Sequence, residues 1–320
     1  MTTRIAGTGR AIPVHVMTND ALSEYVETSD EWISIRTGIR RRHLISGEEN
    51  AVTLAVEAAK QALDNSGIPA EEIQLILTAT SSAGDYFPSV SCQVGAALGL
   101  TDVPAMDLSA ACSGFMFALN TAHAYIKSGI YEKALIIGVD TLSRVTDWTD
   151  RTTCVLFGDG AGACVAVRDE EGIRCISQHS DGSKGNVLVG KAAGLRTPML
   201  EASSAVPITM DGQAVFRFAV KTVPECIGEL LDKAQADKSQ LKYYILHQAN
   251  SRIIQSVAKR LGEPDEKFPM NLEEYGNTSA ASIPILLDEM NRAGKLQRGD
   301  LLVMSGFGAG LTWGGVLLNW

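Results

Sequence analysis

Three side chains have the types and settings needed to pass an acyl group through a sulfur atom. Cys112 lies in Asp107-Leu108-Ser109-Ala110-Ala111-Cys112-Ser113-Gly114-Phe115. A short apolar approach meets a run of small residues, followed by a stretch with Phe115, Leu119 and Ala122 on one helical side. That pattern puts the thiol at or near a helix N-terminus, where unpaired amides and the helix dipole favour a thiolate. The small neighbours leave room for a carbonyl group. His247, in Tyr244-Ile245-Leu246-His247-Gln248-Ala249-Asn250, stands between a strand-like run and a helix-like one, where open α/β sheets place functional side chains. Asn277 lies in the polar turn Tyr275-Gly276-Asn277-Thr278-Ser279-Ala280-Ala281-Ser282, ahead of a helix that tolerates Pro284 in its first turn. A thiolate that accepts the acyl group, with His and Asn donors on a developing oxyanion, is one chemistry for this set. A papain-like Cys-His-Asn hydrolase uses the same residue types. Each residue also has a purely structural reading: a small buried hydrophobe, a helix-capping histidine and an N-cap.

The elements that must position them alternate between strand and helix. Leu75-Ile76-Leu77, Leu135-Ile136-Ile137, Tyr244-Ile245-Leu246 and Leu301-Leu302-Val303-Met304 read as buried strands. Residues 51–65 read as a helix, with Val52, Ala55, Val56, Ala59 and Leu63 on one stripe and Asn65-Ser66-Gly67 as its stop. Residues 113–128 and 249–261 read as helices stopped by Gly129 and Gly262. This alternation predicts α/β layers. A repeat sits within it. Gly158-Asp159-Gly160-Ala161-Gly162 and Gly306-Phe307-Gly308-Ala309-Gly310 share G-x-G-A-G, 148 residues apart, each followed by an apolar run. The match predicts a duplicated α/β unit, with an N-terminal half over 1–170, a C-terminal half over 171–320, and the charged turn Arg168-Asp169-Glu170-Glu171-Gly172 between them. These glycines are not a dinucleotide fingerprint, which needs G-x-G-x-x-G between a strand and a helix.

Composition narrows the function classes. Hydrophobic residues make up 45% of the 320 and charged residues 20%, which excludes a disordered chain. No run reaches the roughly 20 apolar residues of a spanning helix, and Met1-Thr2-Thr3-Arg4 opens no apolar signal segment, so a cytoplasmic protein without membrane partners is expected. The net charge of −9 argues against broad nucleic-acid binding. The six cysteines, Cys92, Cys112, Cys154, Cys164, Cys175 and Cys226, form no C-x-x-C pair, so no metal site is expected.

Several motifs, in order along essentially the whole chain, resemble the β-ketoacyl-acyl carrier protein synthase III family. They are Thr28-Ser29-Asp30-Glu31-Trp32-Ile33 with Arg36-Thr37-Gly38-Ile39, Ala110-Ala111-Cys112-Ser113-Gly114-Phe115, Asp147-Trp148 before Arg151, His247-Gln248-Ala249-Asn250, and Gly276-Asn277-Thr278-Ser279-Ala280-Ala281-Ser282. Residue types separate its relatives. Thiolases use a second cysteine near the C-terminus, whereas Cys226 is the last one here, and elongating ketoacyl synthases have His where this chain has Asn277. The resemblance implies the thiolase fold, two similar α/β halves in five layers, dimerising through the N-terminal half. It implies a decarboxylative Claisen condensation of an acyl-coenzyme A primer with malonyl-acyl carrier protein, initiating type II fatty acid synthesis. Neither metal nor redox cofactor is needed, because decarboxylation supplies the carbanion. Two readings compete: a related ketosynthase of secondary metabolism, and a non-catalytic acyl-binding paralogue.

The resemblance also assigns roles. Cys112 is the nucleophile, with His247 and Asn277 as donors, and the amides of Cys112 and Ala309 form the oxyanion hole. Thr28, Trp32, Arg36, Arg151, Gln213 and Asn250 bind coenzyme A and its pantetheine arm, with Trp32 and Arg151 stacking on the adenine. Phe87, Leu142, Phe157 and Phe307 belong to the acyl pocket, Phe87 reaching across the dimer to the partner's tunnel. Arg217, Arg252, Lys259 and Arg260 dock the acidic carrier protein. Two positions depart from the family pattern, which usually reads G-F-G-G-G where Ala309 stands and often has Asn where Gln213 stands.

Overall fold

Two β-sheets, with helices between and outside them, build the chain, which a computed structural model describes over residues 1–320. The first sheet contains β1 (Thr2–Ala11), β2 (Leu75–Ala79), β3 (Ala105–Leu108), β4 (Lys133–Thr141) and β5 (Asp159–Asp169), in the order β1-β5-β4-β2-β3. The second contains β6 (Ile173–Ser180), β7 (Leu241–Leu246), β8 (Leu301–Gly308) and β9 (Thr312–Asn319), in the order β6-β9-β8-β7. In the first sheet β1/β5 and β5/β4 are antiparallel and β4/β2 is parallel. In the second, β6/β9 and β9/β8 are antiparallel and β8/β7 is parallel. Order and sense therefore repeat, with β3 as an extra edge strand on the first sheet.

The duplication is thus architectural, and the G-x-G-A-G match is a poor guide to its register. Gly158–Gly162 leads directly into β5, whereas Gly306–Gly308 closes β8 and Ala309-Gly310 forms the turn before β9. By topology β5 corresponds to β9, so the two glycine motifs do not occupy equivalent places.

The layers follow from side-chain alternation. Along β4, Leu135, Ile137 and Val139 face one apolar cluster while Ala134 and Ile136 face another. The outer side of the first sheet is covered by α2 (Ala51–Ser66) and α3 (Val90–Ala97). Along β8, Leu302 and Met304 face the same central cluster as Ala134 and Ile136, whereas Leu301 and Val303 face a third. The central cluster holds α4 (Gly114–Lys127) and α7 (Ser282–Arg292), packed between the sheets. Outside the second sheet lie α5 (Gly212–Ala234) and α6 (Ser251–Leu261). The result is five layers, α-β-α-β-α. A shorter helix, α1 (Asp30–Thr37), packs beside α6. None of the helices is long and apolar enough to cross a membrane.

Local signals set the helix ends. Asn50 and Thr53 form a capping box at the start of α2, and Gly67 ends it at φ 68°. Asn250 caps α6 by accepting from Arg252 N, and Gly262 ends it at φ 68°. The turn at residues 170–172 joins β5 to β6. The halves are not separate bodies, because α7 of the second half packs on β1 and β5 of the first.

A buried carboxylate fixes that crossing. Asp288 in α7 is fully buried and accepts from Thr8 Oγ1 at 2.8 Å, Arg10 Nη1 at 2.6 Å and Arg292 Nε at 2.8 Å. Removing the buried carboxylate leaves Thr8 without its acceptor, while the partly exposed Arg10 and Arg292 are solvated by water, so the cost is that of a lost buried acceptor, about 1–3 kcal/mol. Asp288→Ala is therefore expected to lower unfolding free energy by about 2 kcal/mol in urea denaturation. A loss below about 0.5 kcal/mol would place this network among weak surface pairs.

Candidate active site

Cys112 sits in the one-turn 3₁₀ segment Ala111–Ser113 that runs directly into α4. The helix-end placement expected from sequence holds, but the expected easy ionisation does not. Burial pushes the thiol up to about 12, a hydrogen bond from Ser279 works against that rise, and the charge of Asp140 adds to it. Desolvation of the thiolate outweighs whatever the helix end contributes. Two non-glycine residues with positive φ flank the reactive turns, Ala111 at 46° and Ser279 at 51°. Strain of this kind persists where surrounding structure holds it, as at a functional site.

The second sheet delivers the other groups. His247 follows β7, and its backbone N–H donates to Ser305 O at 3.0 Å. Its Nδ1 lies 2.7 Å from Ser282 Oγ, which also accepts the Gln248 N–H at 3.3 Å. When the Ser282 hydroxyl donates to Nδ1, the neutral ring carries its own proton on Nε2 and keeps one ring N–H free as a donor. Burial lowers His247 to about 3, so the ring is neutral near pH 7. Asn277 is held on both sides of its peptide: its N–H donates to Leu156 O at 2.8 Å, and its carbonyl accepts from Gly158 N at 3.0 Å. Its Oδ1 accepts the Ser279 N–H at 2.9 Å, which turns the amide nitrogen outward as a donor. Cys112, His247 and Asn277, distant in sequence, line one narrow passage of about 130 Å³ with Phe307 and Gly308.

This set is a poor Cys-His ion pair. A thiol near 12 beside an imidazole near 3 keeps its proton on sulfur, so the papain-like reading loses its working base. What remains is a nucleophile facing neutral hydrogen-bond donors, an arrangement suited to stabilising an enolate or oxyanion. Ala309 is outside the left-handed region, because Gly310 at φ 133° takes the turn. Alanine in place of the family's glycine is therefore accommodated without strain at that residue.

A second, larger cavity of about 570 Å³ also opens on Cys112. Its walls include Leu142 and Phe157, as expected, with Val145, Leu188, Val189 and Ile208. The last three come from the hairpin Leu188–Lys191 and Val206–Met210, which sequence reading overlooked; its only signal was a short apolar alternation. Two expectations need correction. Phe307 lines the narrow passage instead, with its ring edge-on to His247 at 5.2 Å. Phe87 lines neither the cavity nor the passage at Cys112 and is 86% exposed on the loop before α3.

The expected coenzyme A residues divide similarly. Arg36 and Arg151 place their guanidinium carbons 4.4 and 4.8 Å from the Trp32 ring centroid. Arg151 is further held by donating to Glu27 O at 2.9 Å. The face of Trp32 is thus already occupied, and a base can stack there only by displacing a guanidinium. Thr28 Oγ1 is buried without a hydrogen-bond partner. Gln213 is exposed on the first turn of α5 and lines no part of the passage, which is walled by Gly212, Val215 and Phe216 from that turn. Asn250 lines it, but its side chain is engaged as the α6 cap and donates to Arg36 O at 3.1 Å.

Outside the passage, Arg36, Asn250, Arg252, Lys259, Phe216, Gln255 and Ser256 form a surface groove of about 550 Å³ with no acidic lining residue. Arg252 and Lys259 share it as their helical spacing predicts. Arg260 instead turns toward Val220 O at 3.5 Å, and Arg217 is exposed on α5 outside the lining.

The five-layer fold with its buried cysteine defines a thiolase-fold condensing enzyme. Residues 106–182 match the family described as 3-oxoacyl-[acyl-carrier-protein (ACP)] synthase III, and residues 231–320 match its C-terminal domain. The chain is 48% identical to beta-ketoacyl-[acyl-carrier-protein] synthase III of Synechococcus sp. strain WH7803, covering 99% of this chain and 95% of that protein. It is also 48% identical to the protein of that name from Clostridium perfringens strain SM101, covering 99% and 98%. The crystal structure of 3-oxoacyl-[acyl-carrier-protein] synthase III from Aquifex aeolicus VF5 superposes with TM-score 0.92 at 44% identity, covering 99% of this chain and all of that one. The priming β-ketosynthase of the R1128 polyketide pathway superposes equally well, TM-score 0.92, at 33% identity over 99% and 96% of the two chains. The chain belongs to the β-ketoacyl-acyl carrier protein synthase III family, and it is an acyl-transferring condensing enzyme.

The neutral His247 is directly observable. In ¹⁵N-labelled protein its ring is expected to keep the neutral Nε2–H pattern from pH 8 to pH 5, and Ser282→Ala is expected to mix the tautomers. The sign for stability follows from the same shift. The folded state holds His247 neutral down to about 3, while an unfolded imidazole charges near 6.5. Its contribution is therefore complete above 6.5 and falls away as the pH drops from there toward 3. An imidazolium signal for His247 at pH 6 would contradict this geometry.

Proposed function

We propose that this enzyme transfers the acyl group of an acyl-coenzyme A primer to Cys112 and condenses it with malonyl-acyl carrier protein. The observation that carries the reading is the meeting of two openings on one sulfur: an apolar cavity on one side and a passage lined by His247 and Asn277 on the other. In the first half-reaction the Cys112 sulfur attacks the thioester carbonyl, the amides of Cys112 and Ala309 receive the oxyanion, and coenzyme A departs. The acyl chain then occupies the cavity past Leu142 and Phe157. In the second, malonyl thioester enters the passage on its pantetheine arm. His247 Nε2–H and Asn277 Nδ2–H donate to its carbonyl oxygen as carbon dioxide leaves, and the resulting enolate carbon attacks the acyl-Cys112 carbonyl. Cys112 is released and a β-ketoacyl-acyl carrier protein is formed.

The partners fit the outer surface. Trp32, Arg36 and Arg151 supply an aromatic face and planar cations for an adenine and its phosphates. Arg252 and Lys259, in a groove without carboxylates, supply local positive charge for an acidic carrier protein on an enzyme whose net charge is −9. A second copy of the chain fits the free edge of β3, which pairs only with β2. Beside it, Tyr86 is 80% and Phe87 86% exposed, and a symmetric dimer there buries both the edge and these rings. In such a dimer Phe87 is the ring expected to reach the partner's cavity.

Two measurements test this. Mass spectrometry after incubation with acyl-coenzyme A is expected to find the acyl mass on the Cys112 peptide and nowhere in Cys112→Ala. His247→Ala and Asn277→Ala are expected to lose on the order of 100-fold or more in condensation while retaining most of the acylation. An acylated Cys112→Ala, or equal loss of both half-reactions in the other two variants, would refute the assignment. Light scattering is expected to give twice the 34.1 kDa chain mass, and charge placed on β3 by Met106→Lys is expected to yield monomers with reduced activity. A fully active wild-type monomer would overturn the dimer.

A further inference from the structure

We propose that Arg42 positions Asn277 for the condensation half-reaction: its buried guanidinium fixes the main chain at Val155, beside the two peptides that hold Asn277. This rests on Asn277 being a donor to the malonyl thioester. It answers what keeps that donor in place, since Asn277 stands in the turn between Leu272–Tyr275 and Ser279–Ala281, outside any helix or long strand.

Arg42, in the short strand Arg41–Leu44, has no solvent exposure. Its Nη2 donates to Val155 O at 2.9 Å, and its Nη1 donates to Asn19 Oδ1 at 2.8 Å and Met17 O at 3.4 Å. All of these acceptors are neutral, and Nε has no partner. Burial lowers the guanidinium to about 10, which leaves it charged near pH 7. Asn19 is itself buried and fixed: its Nδ2 donates to Asp30 Oδ1 at 2.8 Å, at the start of α1, and to Ile39 O at 2.8 Å. One end of the guanidinium fork is thus anchored, and the other holds residue 155.

The segment so held carries Asn277. Leu156 O accepts the Asn277 N–H, and the Gly158 N–H donates to Asn277 O, so Phe157 and Asn277 pair as neighbouring strands do. The stem of Arg42 lies against both partners of this pair. A β-carbon at Gly158 would stand 3.2 Å from Arg42 Cβ, and one at Gly276 would stand 3.3 Å from it. A cation without a counter-ion is a costly filling for such a place, and an apolar side chain of similar volume would pack it as well or better. What a hydrocarbon lacks is a rigid planar fork that binds two segments at once. Here the fork joins residues 17–19 to Val155, and Val155 precedes the residue whose carbonyl receives the Asn277 N–H. Arg42 lines neither opening at Cys112. It touches no substrate and acts only through Asn277.

The test measures the two half-reactions separately. Arg42→Met is expected to lower kcat for decarboxylation of malonyl-acyl carrier protein by about tenfold or more with KM little changed, because a small misplacement of a positioned group is costly. Its Cys112 acylation at saturating acyl-coenzyme A, read by mass spectrometry, is expected to keep the wild-type rate. Asn277→Ala is the reference: Arg42→Met added to it is expected to cost little more, since both changes act on one donor. Circular dichroism and melting establish folding. Should Arg42→Met not fold, Arg42→Lys takes its place; it keeps the stem and the charge without the fork, and the same pattern is expected with a smaller loss. Wild-type decarboxylation in the folded variant, or equal loss of both half-reactions, overturns the positioning role and leaves Asn277 a donor. So does a further loss of about tenfold on top of Asn277→Ala, which is what independent damage to the fold predicts. Wild-type decarboxylation in Asn277→Ala alone overturns both readings.

Discussion

The site depends on a backbone contact between the two halves of the chain. A β-carbon at Gly308, at the end of β8, would stand 2.6 Å from the Cys112 amide nitrogen. One at Gly138, in β4, would stand 2.3 Å from the Ala280 carbonyl oxygen. No side chain fits in either place, so each sheet meets a loop of the other half as closely as main chains allow. That approach puts the start of α4, which carries the nucleophile, against the strand end beside His247 and the turn of Asn277. The bridge of Asn277 to residues 156–158 holds the same junction from a third side. Central packing of α4 and α7 keeps it closed, because slipping one sheet would expose Leu302, Met304 and Ile136 together.

Desolvation sets the chemistry at that junction. The same burial that raises Cys112 to about 12 lowers His247 to about 3, so both rest uncharged. A charged Cys-His pair would pull a carbonyl carbon and a proton donor into one step. Neutral donors instead wait for a charge that appears only during reaction, where a preorganised, water-poor site stabilises it most. Hydrogen bonds to Ser282 and to the Ser279 amide fix where those donors point. Serines that touch no substrate thus determine what the reactive groups can do.

Two openings divide the substrate traffic. Phe157 and Leu188 line both the larger cavity and the narrow passage, and Cys112 lies at the point shared by the two. One side is mostly apolar, while the other leads past Phe216 and Asn250 to the basic groove. An acyl chain and a pantetheine arm can therefore meet at sulfur without exchanging places. The residues around Trp32 are arranged differently: its ring is covered by Arg36 and Arg151, so binding a base there requires guanidinium movement.

Much of this was legible from sequence, for local reasons. The helices over 51–65 and 113–128 and the strands at residues 75, 135, 244 and 301 carry their own periodicity, caps and stops, and they lie where the pattern puts them. Cys112 and His247 were identifiable because each stands between a strand and a helix, Asn277 because it stands in a polar turn ahead of a helix, and the motifs around them fixed the family. Their convergence was not legible, since it depends on contacts between segments more than 100 residues apart. The tertiary structure also decided what burial does: a thiol at a helix end looks acidic until it is dehydrated. It moved Phe307 from the acyl pocket to the face of His247, left Gln213 in solvent, and supplied the 188–210 hairpin as the cavity wall. Sequence determines which groups are present and what local backbone carries them; proton affinity, pairing and access belong to the assembled interior, because they depend on how much water each group loses and which neighbours replace it.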